Sequence, residues 1–440
     1  MSTLNNDALD ELFDRRPDDG IYKVNRRVYN DPALYERELE SIFEGSWIYV
    51  AHESQLPNKG DFVTVTMGRQ PVIINRDMNG QINGFINACP HRGARLCRTE
   101  RGNTKSFICT YHGWAFASDG EAKWIQREEE GYPELLDHKN DVGLKHVEKV
   151  ESYRGFIFAS LSADVPTLDQ HLLGGKAYID MLVDQAPIGL EVLKGSSSCV
   201  YKGNWKLMLE NGGGDGLHPD YAHSSLLKVA DRKLQRSTAV QTMQVSKMYE
   251  QVGGQWAFGN GHTGIWFNFP NPEDRPAYKH LAELSKAYGE DRAHWMTGVF
   301  RNLSIYPNLH LLDQMATLIR TFRPLDVNRT EITFFCIAPV GEPVEDRKNR
   351  LRQFEEFFAG SGMGTPDDNA EFEECQSGSE GRNLATSYIS FGLHSRHEGT
   401  DEVASNLGIE LSHSGIIGYE GCTMTQYDRW IELMTKEDKS

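Results

Sequence analysis

The chain has 440 residues, more than one hydrophobic core usually serves, so two domains are expected. Hydrophobic residues make up 39% and charged residues 25%, and the net charge of −17 argues against non-specific binding to nucleic acid or to an anionic membrane surface. No apolar run is long enough to span a bilayer, the first residues lack the marks of a signal peptide, and seven irregularly spaced cysteines suit a reducing cytoplasm.

In chain order, Asp31-Pro32 opens a predicted helix with an apolar stripe of Tyr35, Leu39, Ile42 and Phe43 and an end at Gly45. Residues 1–45 therefore read as a helical segment. From 46 to 160 the signals are those of short strands: FVTVTM, then PVIIN and INGFINA joined by a turn at Asp77–Gly80, a hairpin turn at Asp119-Gly120, and GFIFASL from Gly155. This is one small β-domain. From 161 to 440 helices and strands mix. Residues 166–185 read as helix, a helix starts after Asn204, and 234–270 is strand-like and aromatic. Residues 277–288 form an amphipathic helix, and LHLLDQMATLIRTFRP and TEITFFCIAP read as two paired strands with a turn at Asp326–Arg329. A long helix over 343–360 has Leu351, Phe354, Phe357 and Phe358 on its core face, and 376–416 reads mostly as loop. Helices beside an antiparallel sheet make this second part α+β.

The β-domain carries the most specific pattern in the chain. Cys89 and His91 stand one residue apart, Cys109 and His112 two, and seventeen residues separate the pairs. Two thiolates and two imidazoles suit either a tetrahedral zinc or a [2Fe-2S] cluster with both cysteines on one iron and both histidines on the other. The Cys-x-His and Cys-x-x-His asymmetry speaks against a zinc finger, whose cysteines pair with each other. Pro90, Gly93 and Gly113 suit tight loops around such a body. Cys97, Cys199, Cys336, Cys375 and Cys422 read as ordinary small residues.

A second constellation lies in NWKLMLENGGGDGLHPDYAHSS. His218 and His223 are five residues apart, and Pro219 between them favours a distorted or interrupted helix that aims both rings at one metal. Non-haem iron(II) oxygenases use two histidines and one carboxylate and keep other positions open. Asp367 and Asp368 follow Thr365-Pro366, where Thr365 would cap a new helix; on composition both aspartates simply complement its dipole.

With both stretches in view, the chain closely resembles the large (alpha) subunits of Rieske non-haem iron aromatic-ring-hydroxylating dioxygenases, and most of all the benzoate, toluate and anthranilate group. The closer likeness lies in IFEGSWIYVAHESQLP, INACPHRGARLCR, VDQAPIGLEVLKGSSS and FCIAPVGEP. The resemblance implies an all-β Rieske domain (46–160) inserted near the N-terminus of an antiparallel-sheet-plus-helices catalytic domain formed by 1–45 and 161–440. It implies that Cys89, His91, Cys109 and His112 bind the [2Fe-2S] cluster and that His218, His223 and Asp368 bind a mononuclear non-haem Fe(II). Asn211 matches an asparagine close to the iron. Asp215 matches a bridging aspartate that meets a cluster histidine, here His112, of a neighbouring subunit, so the working unit is a ring of at least three chains. Asp367 is left as a helix-start charge.

The same resemblance implies an enzyme: the oxygenase component of a multicomponent system in aromatic catabolism, using O2 and NAD(P)H-derived electrons to cis-dihydroxylate an aromatic carboxylate, either benzoate- or anthranilate-like or arylacetate-like. The expected partners are a small (beta) subunit in a trimer of heterodimers, or none in an alpha trimer, and a separate flavin/iron-sulfur reductase. The alternatives are a Rieske monooxygenase that hydroxylates or cleaves the ether of an aryloxyacetate, and a Rieske electron carrier without catalysis. Leu217 and Pro219 depart from the family's usual residues, and Gly212–Gly214 would leave a pocket floor without side chains. A buried substrate carboxylate needs a cation or several donors. Arg320 is the candidate, with His310 or backbone amides as the alternative holders and Gly212 and Pro219 as further substrate-side residues; the competing reading puts Arg320 on the outer sheet face, paired with an acid.

Overall fold

The computed structural model describes residues 9–132, 142–225, 251–381 and 383–436. The chain divides into two compact units: Leu39–Leu168, and Met1–Glu38 together with Asp169–Ser440.

The smaller unit is built from three antiparallel sheets. Ile82–Ile86, Gln70–Arg76, Asp61–Met67 and Arg101–Asn103 form a four-stranded one, while Ala122–Trp124, Ala115–Ala117 and Ser106–Ile108 form a second of three strands. The third joins Lys149–Tyr153, Phe156–Ser160 and Ile48–His52. Its β-rich runs are legible because Val72, Ile73 and Ile74 are wholly buried and Gly80 and Gly120 take the positive φ that their turns demand. Cys89 and Cys109 belong to the same core cluster as Phe62, Phe85, Phe107, Trp114 and Phe116, so both loops are anchored in the interior. Asn87, buried, clamps the first loop: its carbonyl accepts from the Leu96 and Cys97 N–H groups, and its amide donates to the Cys97 carbonyl at 2.7 Å.

The larger unit is organised on a ten-stranded antiparallel sheet. Its spatial order runs Leu190–Val192, Arg329–Pro339, Thr317–Asp326, Leu309–Asp313, Val299–Ile305, His262–Asn268, Gly253–Gly259, His413–Ile416 and His397–Glu398, with Ser197–Tyr201 also on Arg329–Pro339. The helix Trp205–Gly214 starts where Asn204 accepts a hydrogen bond from the Lys206 N–H. Glu38 fastens this helix from beneath. Its carboxylate pairs with buried Lys206 and accepts from the indoles of Trp205 (2.8 Å) and Trp430 (2.7 Å). Removing one member of so buried a pair costs about 3–5 kcal/mol, because the other charge is left unpaired.

Four expectations need correction. Residues 1–45 are not all helical: Phe13–Arg16 and Ile21–Asn25 are strands that form a small sheet with Thr386–Tyr388, and the helix Pro32–Glu38 passes into a π-helical turn over Leu39–Glu44. LHLLDQMATLIRTFRP is a hairpin of two strands, folded at Gln314–Ala316, which places His310 directly opposite Arg320. The long helix also breaks into π geometry at Phe354–Phe358, which buries Phe354 and Phe358 and leaves Leu351 and Phe357 half-buried. The stretch 376–416 is less loop-like than expected, since it contains the end of a helix at Ser379 and the sheet strand His413–Ile416. Part of the strand-like section 234–270 lies outside the described residues; Gly253–Gly259 and His262–Asn268 are its strands.

Candidate active site

The two loops of the smaller unit are near copies of each other. Cys89 N–H donates to the Ala94 carbonyl (2.9 Å) and Gly93 N–H to the Cys89 carbonyl (2.8 Å). In the second loop Cys109 N–H donates to the Trp114 carbonyl (2.8 Å) and Gly113 N–H to the Cys109 carbonyl (2.9 Å). Gly93 and Gly113 take φ of 71° and 75°, the left-handed conformation such closures require. The loops bring the His91 and His112 rings to 4.5 Å between centroids, and His91 stacks on Trp114 at 5.0 Å and 4°. Nδ1 of both histidines is buried without a protein partner, and both cysteines are free thiols. Burial pushes the Cys89 pKa up, with Cys109 next to it adding to the rise; burial, with His91 beside it, lowers that of His112. Two adjacent thiols and two unpartnered ring nitrogens fit a four-ligand inorganic group.

In the larger unit the helix Trp205–Gly214 ends and the chain turns through Asp215 into a single helical turn, Pro219–Ala222. His218 and His223 flank that turn as its two caps, with the Ala222 N–H on the His218 carbonyl at 2.9 Å. Pro219 occupies the first helical position, where its missing N–H is no loss. The rings stand 5.1 Å apart at 73°. Asp368 joins them from the first turn of Thr365–Ser379: its Oδ1 lies 3.4 Å from His218 Nε2 and 3.2 Å from His223 Nε2. Ligand atoms of the three residues all lie within 4.8 Å of one another, which is the donor set of a mononuclear non-haem iron site. Asn211 sits among them, with Nδ2 at 3.3 Å from both His218 Nε2 and Asp368 Oδ1. Thr365 does not cap its helix as expected; it lies inside the helix and its hydroxyl donates to the Phe358 carbonyl at 2.8 Å.

The outer ring nitrogens face two further carboxylates. Asp215 Oδ2 lies 3.3 Å from His218 Nδ1, off the line of a hydrogen bond, while its Oδ1 accepts from the backbone N–H of Leu217 (2.9 Å) and His218 (3.2 Å). Burial would raise the Asp215 pKa, but the His218 ring beside it, followed by these two backbone donors, more than offsets it and holds it below the usual carboxylate range. Asp367 Oδ2 lies 3.2 Å from His223 Nδ1. The sequence reading missed this residue as a partner of the site. The signal was present in the tandem aspartates, but helix-dipole complementation explained Asp367 equally well.

Arg320 and His310 are both buried, and neither lies on an outer face. The guanidinium donates to His310 Nδ1 from Nε (3.1 Å) and from Nη2 (2.9 Å). A Cβ on Gly212 would meet His310 Nδ1 at 2.0 Å and Arg320 Nη2 at 2.4 Å. The glycine run therefore leaves no bare floor. Beside Gly213 the space is filled by Thr263 and Ser304, and beside Gly214 by Thr423.

A thiol–imidazole cluster cradle and a two-histidine, one-carboxylate metal site in one chain define a Rieske-type non-haem iron oxygenase. Residues 46–151 match the Rieske [2Fe-2S] domain, and residues 190–403 match the ring hydroxylating alpha subunit (catalytic domain). The chain is 43% identical to toluate 1,2-dioxygenase subunit alpha of Pseudomonas putida, over 98% of this chain and 95% of that one. It is 41% identical to the anthranilate 1,2-dioxygenase large subunit of Acinetobacter baylyi, over 96% and 91%. A solved naphthalene 1,2-dioxygenase with indole bound superposes with a TM-score of 0.82 at 25% identity, covering 94% of this chain and 92% of that one. The chain belongs to the large subunits of Rieske-domain ring-hydroxylating dioxygenases, and it is an oxygenase component of that multicomponent class. Among the described residues no helix is long and apolar enough to cross a membrane.

Proposed function

We propose that this large subunit adds both atoms of O2 to the ring of an aromatic carboxylate, giving a cis-dihydrodiol in aromatic catabolism. The observation that carries the reading is the pairing, in one chain, of the Cys89–His91–Cys109–His112 cradle with the His218–His223–Asp368 triad. The acid substrate is supported by two close relatives, whose named substrates, toluate and anthranilate, are both aromatic carboxylates.

In this reading the cradle holds the [2Fe-2S] cluster and the triad holds the iron. When bound, the cluster supplies one-electron transfer and the mononuclear iron supplies O2 activation. The remaining work belongs to the chain. Asp367 holds the proton of the His223 imidazole on Nδ1 and Asp215 faces Nδ1 of His218, which leaves both Nε2 atoms on the side of Asp368. Asn211 donates to Asp368 Oδ1 and restrains that carboxylate without adding charge. Gly212, Pro219, His310 and Arg320 bound the substrate side. Asp215 also meets His112 of a neighbouring subunit in a ring of three chains, either a trimer of heterodimers with a small beta subunit or an alpha trimer. Electrons come from a separate NAD(P)H-dependent flavin/iron-sulfur reductase.

The test is a turnover screen of benzoate, toluates, anthranilate and arylacetates with such a reductase under isotopically labelled O2. Two labelled oxygens in the first product are expected. One labelled oxygen would move the protein to the monooxygenases, and turnover of neutral arenes alone would overturn the acid substrate.

A further inference from the structure

Among the described residues four arginines lie buried against the large sheet, and three of them have a carboxylate. Arg275 and Arg301 share Asp313, and Arg350 holds Glu342 at 2.6 Å. Arg320 is the exception. Among the described residues no carboxylate lies within ion-pair distance of it, and its hydrogen bonds go to a neutral acceptor, His310 Nδ1. A buried cation without an anion is costly, so its retention needs a reason.

Its place in the fold supplies one. His310 and Arg320 face each other across adjacent strands, and Gly212 presses the backbone of the metal-site helix against both. The next residue back, Asn211, touches His218 and Asp368. Burial lowers the Arg320 pKa to about 10, and the charge that opposes this most is Asp368. The site's carboxylates face the two imidazoles, Asp368 beside both Nε2 atoms and Asp215 and Asp367 at the outer nitrogens, and none of them lies within ion-pair distance of Arg320. Because Nδ1 of His310 accepts twice from Arg320, it carries no proton. The imidazole is neutral, with its hydrogen on Nε2, and that buried N–H has no partner. The pair thus offers a guanidinium without an ion-pair partner, fixed in orientation by His310 and joined to the metal triad through Gly212 and Asn211.

We infer that Arg320 receives the carboxylate of the substrate and sets the enzyme's preference for acids, with His310 as the positioning residue that orients the guanidinium. This rests on the aromatic-acid reading above. A benzoate-type acid would then lie with its carboxylate on Arg320 and its ring toward the triad.

The test measures anaerobic binding of benzoate and of benzamide to the holoenzyme by calorimetry, with cluster absorbance and iron content as controls for folding. The wild type is expected to bind benzoate at least about tenfold more tightly than benzamide, since a charged pair replaces a neutral contact. Arg320→Gln should weaken benzoate by about 10- to 100-fold and benzamide by less than about threefold. Arg320→Lys, which keeps the charge but not the fork, should recover only part of the loss. His310→Gln should shift benzoate in the same direction by less. Equal wild-type affinities, or equal losses for acid and amide, would overturn the inference while leaving the acid reading intact if benzoate is still turned over. A wild type that turns over no aromatic acid would overturn the acid reading itself.

Discussion

Asp367 Oδ2 lies 3.2 Å from Nδ1 of His223, and Oδ1 of the next residue, Asp368, lies 3.2 Å from Nε2 of the same ring. Consecutive residues on a helix diverge by about 100°. Two adjacent carboxylates can therefore reach opposite edges of one imidazole, which neither could do alone. Burial would lower the His223 pKa, but Asp368 and Asp367 together more than offset it and leave it raised. In the proposed function the tandem acid in the first turn of Thr365–Ser379 thus has two separate tasks: one carboxylate to bind metal, the other to hold the ring's proton and direction.

Asp367→Ala is accordingly expected to lower Fe(II) affinity by about 10- to 100-fold, the usual cost of losing a carboxylate behind a metal-binding histidine. Asp367→Asn, whose amide oxygen still accepts from Nδ1–H, should recover most of it. Iron titration of the metal-stripped protein, with cluster absorbance as the internal reference, decides the matter. Unchanged iron affinity in Asp367→Ala would return this residue to a mere helix-start charge.

What the sequence disclosed depended on how local each signal was. The four cluster donors fall within one short stretch, so their spacing alone pointed to one four-ligand inorganic group, and the family resemblance made that group a [2Fe-2S] cluster. His218 and His223 are also close, and Pro219 announced the broken helix that their five-residue offset needs. Asp368 lies far along the chain, and only the family resemblance joined it to them. The Arg320–His310 pair was hidden because Gln314-Met315-Ala316 carries none of the usual turn residues, so a hairpin read as one strand. The strands Phe13–Arg16 and Ile21–Asn25 were hidden differently: FDRR and IYKVN lack a clean alternation, and their partner, Thr386–Tyr388, comes from the other end of the chain. The glycine run read as open space, yet backbone proximity says nothing of which side chains arrive to fill it.

Glu210 should give the fold a specific response to pH. Its Oε1 accepts from the hydroxyls of Tyr427 (2.5 Å) and Tyr29 (3.0 Å), but burial dominates and pushes its pKa up from 4.5 to about 7. Between those two values the folded chain holds a proton that the unfolded chain has lost. The stabilisation is therefore complete below the unfolded value, falls as pH rises through about 7, and is flat above it. The difference amounts to about 3 kcal/mol. Glu210→Gln cannot ionise. Its unfolding free energy relative to wild type should improve by roughly that amount between pH 4.5 and pH 8. Denaturant unfolding across that range checks this, and parallel profiles would count against the assignment.

In the proposed function Asp215 serves electron delivery rather than metal binding, and a variant can separate the two. Its Oδ1 holds the turn through the Leu217 and His218 N–H groups, and its Oδ2 faces His218 Nδ1 at 3.3 Å. Asp215→Asn can keep the first pair of bonds through its amide oxygen. The amide nitrogen then points a donor at Nδ1–H, so the contact with the ring is lost while the turn survives. Cluster absorbance and iron content at saturating Fe(II) should match wild type. Turnover, and oxidation of the reduced cluster in a single-turnover mixture with substrate and O2, should slow by about 10- to 100-fold or more. A general loss of structure would lower iron and cluster together, which the absorbance and metal measurements would expose. Near-normal turnover in iron-replete Asp215→Asn would show that the carboxylate serves only the turn, and that electrons reach the triad by another route.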